Sequence, residues 1–201
     1  VIAQLVLPGL AEQRLRDQLG AHGTVLHVEV HAFPAVELLW HQADRVVIRM
    51  AGYTGNSGGL GSMLDRAADV GLLDASVATL KAGLLTLRNA RLKGSAGRLA
   101  GSAEVSEADL RAAVPFLDGV QPVASAGGGL ILRGTATLFG VTASVDASVN
   151  TAGGQLQLVP NLPFGGLATV TVFSDPRLQI ESLSAAPTAN GFSVAASARL
   201  R

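Results

Sequence analysis

Hydrophobic and polar residues alternate without interruption in the last third of the chain. From residue 141 to residue 150, Val and Ala occupy every second position, and Thr, Ser, Asp and Asn occupy the positions between them. This period of two is typical of a β-strand that buries one face. The pattern recurs between Gly-Gly, Pro and Asn-Gly turns, which predicts further strands at residues 130–138, 155–159, 168–173, 177–183 and 192–200. We therefore expect an antiparallel meander. Many of its inward side chains are Ala, Gly or Val, which let a sheet curve closely around a helix or a ligand.

The first third of the chain changes from a helical period to the period of a strand. Apolar residues recur at helical spacing over residues 8–19, with Pro8 in the first turn, which predicts an amphipathic helix. Its apolar positions are Leu10, Ala11, Leu15 and Leu19. Residues 24–33 alternate instead and predict a half-buried strand, followed by a second strand at residues 45–50. On the first strand, the face expected to be buried holds Leu26, Val28 and Val30, and the opposite face holds His27, Glu29 and His31.

The middle of the chain contains a glycine-rich stretch and then further strands. Residues 52–62 include five glycines, which favours a mobile loop because glycine loses the most backbone entropy on folding. A short helix and two strand segments are expected after it, at residues 60–68, 76–93 and 97–105. Ser106-Glu107-Ala108-Asp109 has the form of a capping box, and it predicts a helix that continues to Val114 and ends at Pro115.

The composition limits the classes of function open to this chain. Hydrophobic residues make up 48% of the sequence and the mean hydropathy is +0.39, yet aromatic residues make up only 4%. Such an aliphatic surplus fills a large core, an exposed patch or an internal cavity. A charged fraction of 15% and a formal net charge of +0 exclude the basic field that nucleic-acid binding requires. The absence of cysteine excludes disulfides, thiolate catalysis and thiolate metal sites.

The length of the chain and its first residue bear on its organisation. A length of 201 residues without an internal linker predicts one domain that spans residues 1–201. No apolar run reaches the roughly 18 residues that would predict a membrane-spanning helix. Because the chain begins at Val1 rather than at methionine, we expect that an N-terminal leader or anchor has been trimmed from an exported protein.

One strand face carries the residue types of a metal site. His27, Glu29 and His31 share this face, but consecutive side chains on it lie about 6.6 Å apart along the strand. A site would therefore need converging side chains and a fourth donor such as His41. A solvent-facing strand surface explains the three residues more simply, and we expect no metal here.

The glycine-rich stretch contains a motif that resembles a catalytic loop. Gly55-Asn56-Ser57-Gly58-Gly59 is similar to the nucleophile loop of trypsin-like serine proteases. The 56 residues before Ser57 are too few to build the barrel that carries the histidine of those enzymes. Paired carboxylates such as Asp65 and Asp69 fall at helical spacing and are more typical of a solvated helix than of an acid and base pair. We therefore predict that the protein is not an enzyme and uses no cofactor.

Several segments, taken in chain order, resemble the LmeA-like phospholipid-binding family of bacterial envelope proteins. The first part of the resemblance consists of the N-terminal helix, the strand at residues 25–31, Phe33-Pro34 with Leu38-Leu39, and the strand at residues 46–50. The second part consists of Leu92-Lys93-Gly94, Gly101-Ser102-Ala103-Glu104-Val105 with the capped helix after it, and the strand after Asn190-Gly191. The family commonly has a glycine after the paired leucines, whereas Trp40-His41 stands at that point here. The resemblance covers nearly the whole chain.

The resemblance implies a fold and a function. The implied fold is α+β and akin to the tubular lipid-binding superfamily, with a strongly curved antiparallel β-sheet wrapped around an N-terminal helix and further short helices. The implied ligand is a phospholipid or a related acyl lipid in an apolar groove, for lipid transfer or sensing in envelope biogenesis. An exported protein of the periplasm or the membrane surface is expected, with peripheral membrane contact and no catalytic residues.

The expected lipid-binding residues are apolar side chains on either side of the proline turn and near the glycine-rich stretch, which is a candidate gate. They are Phe33, Leu38, Leu39, Trp40, Met50, Leu60, Met63 and Leu64. Plain core packing explains the same residues equally well. The alternative function is a structural or protein- or glycan-interaction domain of the envelope that has no lipid cavity.

Overall fold

The part of the chain that the structure describes consists mostly of β-sheet and contains two helices. The computed structural model describes residues 2–33, 43–55, 70–82, 85–113, 119–124, 130–138, 141–152, 154–161 and 169–200. Helix α1 spans Ile2–Gly20 and helix α2 spans Glu107–Ala113. The strands β1 to β12 span, in chain order, Gly23–His31, Ala43–Gly55, Val70–Ala82, Leu85–Ser95, Arg98–Ser106, Gly119–Ala124, Leu130–Leu138, Val141–Ala152, Gln155–Pro160, Val170–Ser174, Leu178–Thr188 and Gly191–Leu200.

The strands form two sheets rather than the single sheet that the sequence predicts. One has seven strands in the order β1-β2-β3-β4-β5-β12-β11, and the other has five in the order β10-β9-β8-β7-β6. Within the described residues neither sheet closes on itself. All neighbouring strands are antiparallel except β2 and β3, which are parallel, so the expectation of a wholly antiparallel sheet is wrong at this pair. A parallel pair requires a crossover of about a dozen residues or more, and residues 56–69 provide that length.

Helix α1 is longer than the sequence predicts and lies along the edge strand β1. It begins at Ile2, so Pro8 lies in the helix interior and not in the first turn. In the interior, a proline removes one backbone hydrogen bond of the helix. Leu19 is 1% exposed and anchors the helix end in the core. The Glu12 carboxylate accepts a hydrogen bond from the backbone N–H of Val30 at 3.1 Å, which satisfies a donor on β1.

Glycines fasten the turn after α1 to strand β2. A Cβ on Gly23 would lie 2.0 Å from the carbonyl oxygen of Gly52, so this approach requires glycine. The backbone N–H of Thr54 donates to the His22 carbonyl at 2.8 Å, and the His22 ring stacks on Tyr53 with 5.8 Å between centroids. The prediction of a mobile loop is therefore wrong for residues 52–55, because backbone pairing with β1 and β3 holds them in a strand. Residues 56–62 and the predicted helix at 60–68 lie outside the described residues.

Strand β1 confirms the predicted polar face, but one residue of the predicted buried face is exposed. Val28 and Val30 are buried, and His27 and His31 are exposed, as the alternation predicts. Leu26, however, is 65% exposed. Its pairing with β2 shifts register between Val25 and His27, and such a bulge turns the residue at the shift away from the expected face.

The strands of the last third and the capped helix confirm the predictions for them. Val145 and Ala147 of β8 are buried, and β7 to β10 pair in consecutive antiparallel order. At the start of α2, the Ser106 hydroxyl accepts from the Asp109 backbone N–H at 3.1 Å and donates to the Asp109 carboxylate at 2.6 Å. These two bonds form the predicted helix cap. The expected helix end at residues 114–115 lies outside the described residues.

The described core divides into two clusters at different places in the fold. The α1 cluster consists of Leu19, Val28, Val30, Val46, Met50, Tyr53 and Leu73. The α2 cluster consists of Val105, Leu110, Val120, Leu132, Val145, Ala147, Leu158 and Phe192. A domain usually has one contiguous core, so two separate clusters indicate a space between them. No helix in the described part of the chain is long and apolar enough to cross a membrane.

Candidate functional site

A cavity of about 970 Å³ lies between the two core clusters. Side chains of α1, α2, both sheets and both clusters line it, among them Leu19, Met50 and Leu73 on one side and Leu110, Leu132 and Phe192 on the other. This volume is at the upper end of the range of roughly 300–1,000 Å³ typical of small-molecule pockets. The space between the two halves of the core is therefore large enough to hold a ligand.

The cavity lining is almost entirely aliphatic. Strands β3, β4, β5, β11 and β12 contribute Val70, Leu73, Ala75, Val77, Leu80, Leu85, Leu87, Ala90, Leu92, Leu99, Ala103, Val105, Leu178, Ile180, Leu183, Ala185, Val194, Ala196 and Ala198. The polar exceptions among the described lining residues are Arg14, Gln18, Arg91, Ser102 and Tyr53. Burial raises the pKa of the Tyr53 hydroxyl above its usual value. No described lining residue is acidic. Such a lining favours apolar ligand groups and offers no carboxylate for acid–base chemistry.

Small inward residues on neighbouring strands create the space. In the register of the seven-stranded sheet, Ala196 of β12 lies opposite Gly101 of β5, which in turn lies opposite Leu92 of β4. A Cβ on Gly101 would meet its nearest described neighbours at 3.8 Å or more, which is ordinary contact, so the position has room to spare. The small inward side chains noted in the sequence therefore leave volume unfilled instead of only allowing curvature.

Helix α1 presents one face to the cavity. Ala11, Arg14, Leu15, Gln18 and Leu19 all line it, and their spacing places them on one side of a helix. The sequence predicts Leu10 as part of the buried apolar face, but Leu10 is 51% exposed. Arg14 and Gln18 line the cavity, and Leu10 does not. The missed signal is the i, i+3, i+4, i+7, i+8 spacing that links the two polar residues to Leu15 and Leu19.

The structure places the two described residues of the predicted lipid site in different surroundings. Met50 is buried and lines the cavity. Phe33, two residues after the end of β1, is 78% exposed and is not among the lining residues. Its backbone N–H donates to the Asp44 carboxylate at 2.6 Å. The remaining six residues of that site lie outside the described residues: Leu38, Leu39, Trp40, Leu60, Met63 and Leu64.

The other candidate chemistry does not assemble into a described site. The Glu29 carboxylate lies 3.2 Å from His31 Nε2 and 3.6 Å from His27 Nε2, and all three side chains are substantially exposed. Among the described residues, no group of three or more His, Asp or Glu side chains is placed to hold a metal ion. Of the protease-like motif only Gly55 is described, and Asp65 and Asp69 also lie outside the described residues.

Arginines dominate one row of side chains across the outer face of the seven-stranded sheet. Cross-strand pairing runs from Arg45 through Leu72, Ser95 and Arg98 to Arg199, and we call these five residues the basic row. All five residues are exposed, with Leu72 at 54%. In the neighbouring row, the Arg49 guanidinium donates to the Asp74 carboxylate at 3.0 Å and lowers its pKa, with smaller contributions from Lys93 and Arg45. Arg199 also pairs with Glu181 at 2.9 Å, so the positive charge of the basic row that has no carboxylate partner among the described residues lies at Arg45 and Arg98.

Comparison with known proteins agrees with this cavity. The sequence model of the LmeA-like phospholipid-binding family matches residues 1–197 of the 201-residue chain. No curated protein and no solved structure matches it. The family match spans the helix α1, both sheets and all but the last few residues of β12, and these elements are the ones that enclose the aliphatic cavity. The chain therefore belongs to the LmeA-like phospholipid-binding family.

Proposed function

We propose that the protein holds a phospholipid or a related acyl lipid with its acyl chains in the cavity between the two core clusters. The observation that carries this proposal is a cavity of about 970 Å³ with an aliphatic lining, in a member of a phospholipid-binding family. Each acyl CH₂ removed from water contributes about 0.8 kcal/mol. Ten such groups would contribute about 8 kcal/mol before the costs of association, so burial of the chain alone supports binding.

A substitution that fills the cavity provides the experiment. Ala196 points inward on β12, and the A196F side chain would occupy space that the acyl chain needs. We expect A196F to lower the affinity for a phospholipid with a fluorophore on its acyl chain by about tenfold or more, because the loss of two buried CH₂ groups is sufficient for this. Equilibrium fluorescence titration measures the change.

The matched control is S193F on the same strand. Ser193 is exposed and does not line the cavity, so S193F adds the same aromatic group without filling it. Both variants should unfold at temperatures close to that of the wild type, since the cavity accommodates the A196F ring and the S193F ring lies in solvent. Equal affinities of A196F and S193F for the lipid would contradict the proposal.

We further propose that the protein meets its lipid at an anionic membrane surface in the extracytoplasmic envelope, and that it transfers or senses that lipid. The basic row supports this, because Arg45, Arg98 and the exposed Leu72 lie at the same end of the strands on the outer face of the seven-stranded sheet. Phe33 lies near the same edge, next to Asp44 at the start of β2, and is a candidate for insertion into the bilayer.

The fold and the remaining site residues form part of the same proposal. We propose that the seven-stranded sheet with α1 against it curves and is related to the tubular lipid-binding superfamily. We also propose that Leu38, Leu39 and Trp40, which follow Phe33, form the entrance for lipid, and that Leu60, Met63 and Leu64 line it. Met50 would then contact the acyl chain from inside the cavity.

A further inference from the structure

The cavity-facing side of helix α1 changes in character along its length. Leu19 is almost fully buried and Leu15 is half-buried, whereas Arg14 is exposed although it also lines the cavity. A side chain that both lines a cavity and reaches solvent marks the rim. Gln18, one turn further along, extends the same polar strip. Helix α1 therefore combines an apolar wall with a cationic rim.

Arg14 has no carboxylate partner in the described part of the chain. Five other arginines do: Arg49, Arg88, Arg133, Arg177 and Arg199 each form an ion pair with an Asp or Glu. Asp17 is the carboxylate at helical spacing from Arg14, three residues further along α1, and no ion pair joins the two. Because no described lining residue is acidic, nothing described at the cavity neutralises the Arg14 charge.

The other cation of the lining lies elsewhere in the sheet. Arg91 pairs in register with Ser76 of β3 and Ser102 of β5, and its sequence neighbours Ala90 and Leu92 both line the cavity. Strand alternation therefore places the Arg91 side chain on the outer face. Of the two described lining arginines, Arg14 is therefore the one that lies at the rim of the cavity, because the side of α1 that carries it faces the cavity.

We infer that Arg14 binds the phosphate of the lipid headgroup at the rim of the cavity. The inference rests on the proposed function and adds the position and orientation of the ligand. A guanidinium fits a phosphate with two parallel N–H···O bonds, and such charge-assisted bonds are stronger than neutral ones. The headgroup then lies beside α1, and the acyl chains extend past Leu15 and Leu19 toward the small residues of β5 and β12.

Lysophosphatidic acid and a monoacylglycerol with the same acyl chain test the inference, because they differ only in the phosphate. We expect the wild type to bind lysophosphatidic acid about tenfold more tightly than the monoacylglycerol, and R14Q to bind both equally. R14K should retain part of the preference, since an ammonium keeps the charge but lacks the planar fork. Isothermal titration measures all three proteins.

The control variant is R16Q, which removes the same charge from an exposed position on α1 that does not line the cavity. R16Q should keep the wild-type preference, and equal affinities of R14Q and R16Q for lysophosphatidic acid would overturn the inference. Inorganic phosphate should not compete with lysophosphatidic acid at millimolar concentration. Competition there would show a site for free phosphate and would also overturn the inference. If the wild type binds neither acyl probe, the proposed function itself fails, which is a distinct result.

Discussion

Individual residues connect the two sheets where the chain passes from one to the other. Asp175 lies between β10 of the five-stranded sheet and β11 of the seven-stranded sheet, and it is 2% exposed. Its carboxylate pairs with Arg177 at 3.1 Å, and its backbone N–H donates to the Gly154 carbonyl at 2.9 Å. Gly154 has a φ of +77°, and a Cβ there would lie 1.8 Å from the Asp175 carbonyl oxygen. Glycine is therefore required at this position by both conformation and space.

Substitution of Gly154 should separate these two effects. G154A combines the left-handed conformation with the clash, and we expect it to destabilise the protein by about 2 to 4 kcal/mol. The control is G97A, where φ is +72° but a Cβ would meet no described atom within 4 Å, and where a loss of about 1 kcal/mol is expected. Chemical denaturation measures both. A G154A variant no less stable than G97A would show that the contact with Asp175 does not constrain the fold.

Single residues were predictable from the sequence where the cause is local. The Ser106 cap was predictable, because its partner Asp109 is three residues away. Leu26 was not, because the bulge that turns it outward arises from pairing with β2. Arg14 was not recognised as a rim residue, since its role depends on where α1 packs.

Helix α1 is the element that forms both a wall and the rim of the cavity, yet its interior contains two poor helix formers. Pro8 and Gly9 are adjacent within the helix. A Cβ on Gly9 would meet no atom of the described residues within 4 Å, so packing against this part of the chain does not require glycine there. Packing of Ala11, Leu15 and Leu19 against the α1 cluster stabilises the helix despite this weak segment.

We expect G9A to stabilise the protein by about 1 kcal/mol, because alanine lowers the backbone entropy lost when the helix forms. The control Q13A changes another exposed helix position where intrinsic propensities differ little, and it should shift stability far less. Thermal unfolding followed by circular dichroism distinguishes the two. A destabilised G9A would mean that glycine is needed at this point of α1.

Element types were largely predictable, because the period of a strand or a helix is a property of the segment itself. The strict alternation of β7 and β8 and the helical spacing of α1 are examples. Gly52 and Gly55 were wrongly placed in a loop, because pairing with β1 and β3 outweighs the local preference of glycine. Element boundaries and partners depend on such non-local contacts.

The whole molecule combines an apolar cavity with a basic row on the outer face of the seven-stranded sheet. Neither the division into two sheets nor the parallel pair of β2 and β3 could be predicted, since both depend on residues far apart in the chain. The aliphatic surplus indicated a large core, a patch or a cavity without distinguishing them, and the structure shows a cavity between two core clusters. Of the predicted site residues that are described, Met50 lines this cavity and Phe33 lies outside it.

The basic row predicts electrostatic binding to anionic membranes. Each Arg near an anionic surface contributes about 1 kcal/mol, so the R45Q/R98Q double variant should bind phosphatidylglycerol vesicles roughly 30-fold more weakly than the wild type. K81Q/R111Q removes the same charge away from the row and should bind like the wild type. Vesicle co-sedimentation at low and high salt measures this, and wild-type binding should fall as salt rises. Equal loss in both double variants would contradict a role for the basic row.

Native mass spectrometry of the wild-type protein, purified without detergent and then mixed with phospholipid vesicles, determines whether the cavity holds a lipid. We expect a population heavier than the polypeptide by the mass of one phospholipid, which collisional activation releases. A protein that carries no lipid after purification and takes up none from the vesicles would contradict this expectation. Such a result would favour a structural or interaction domain.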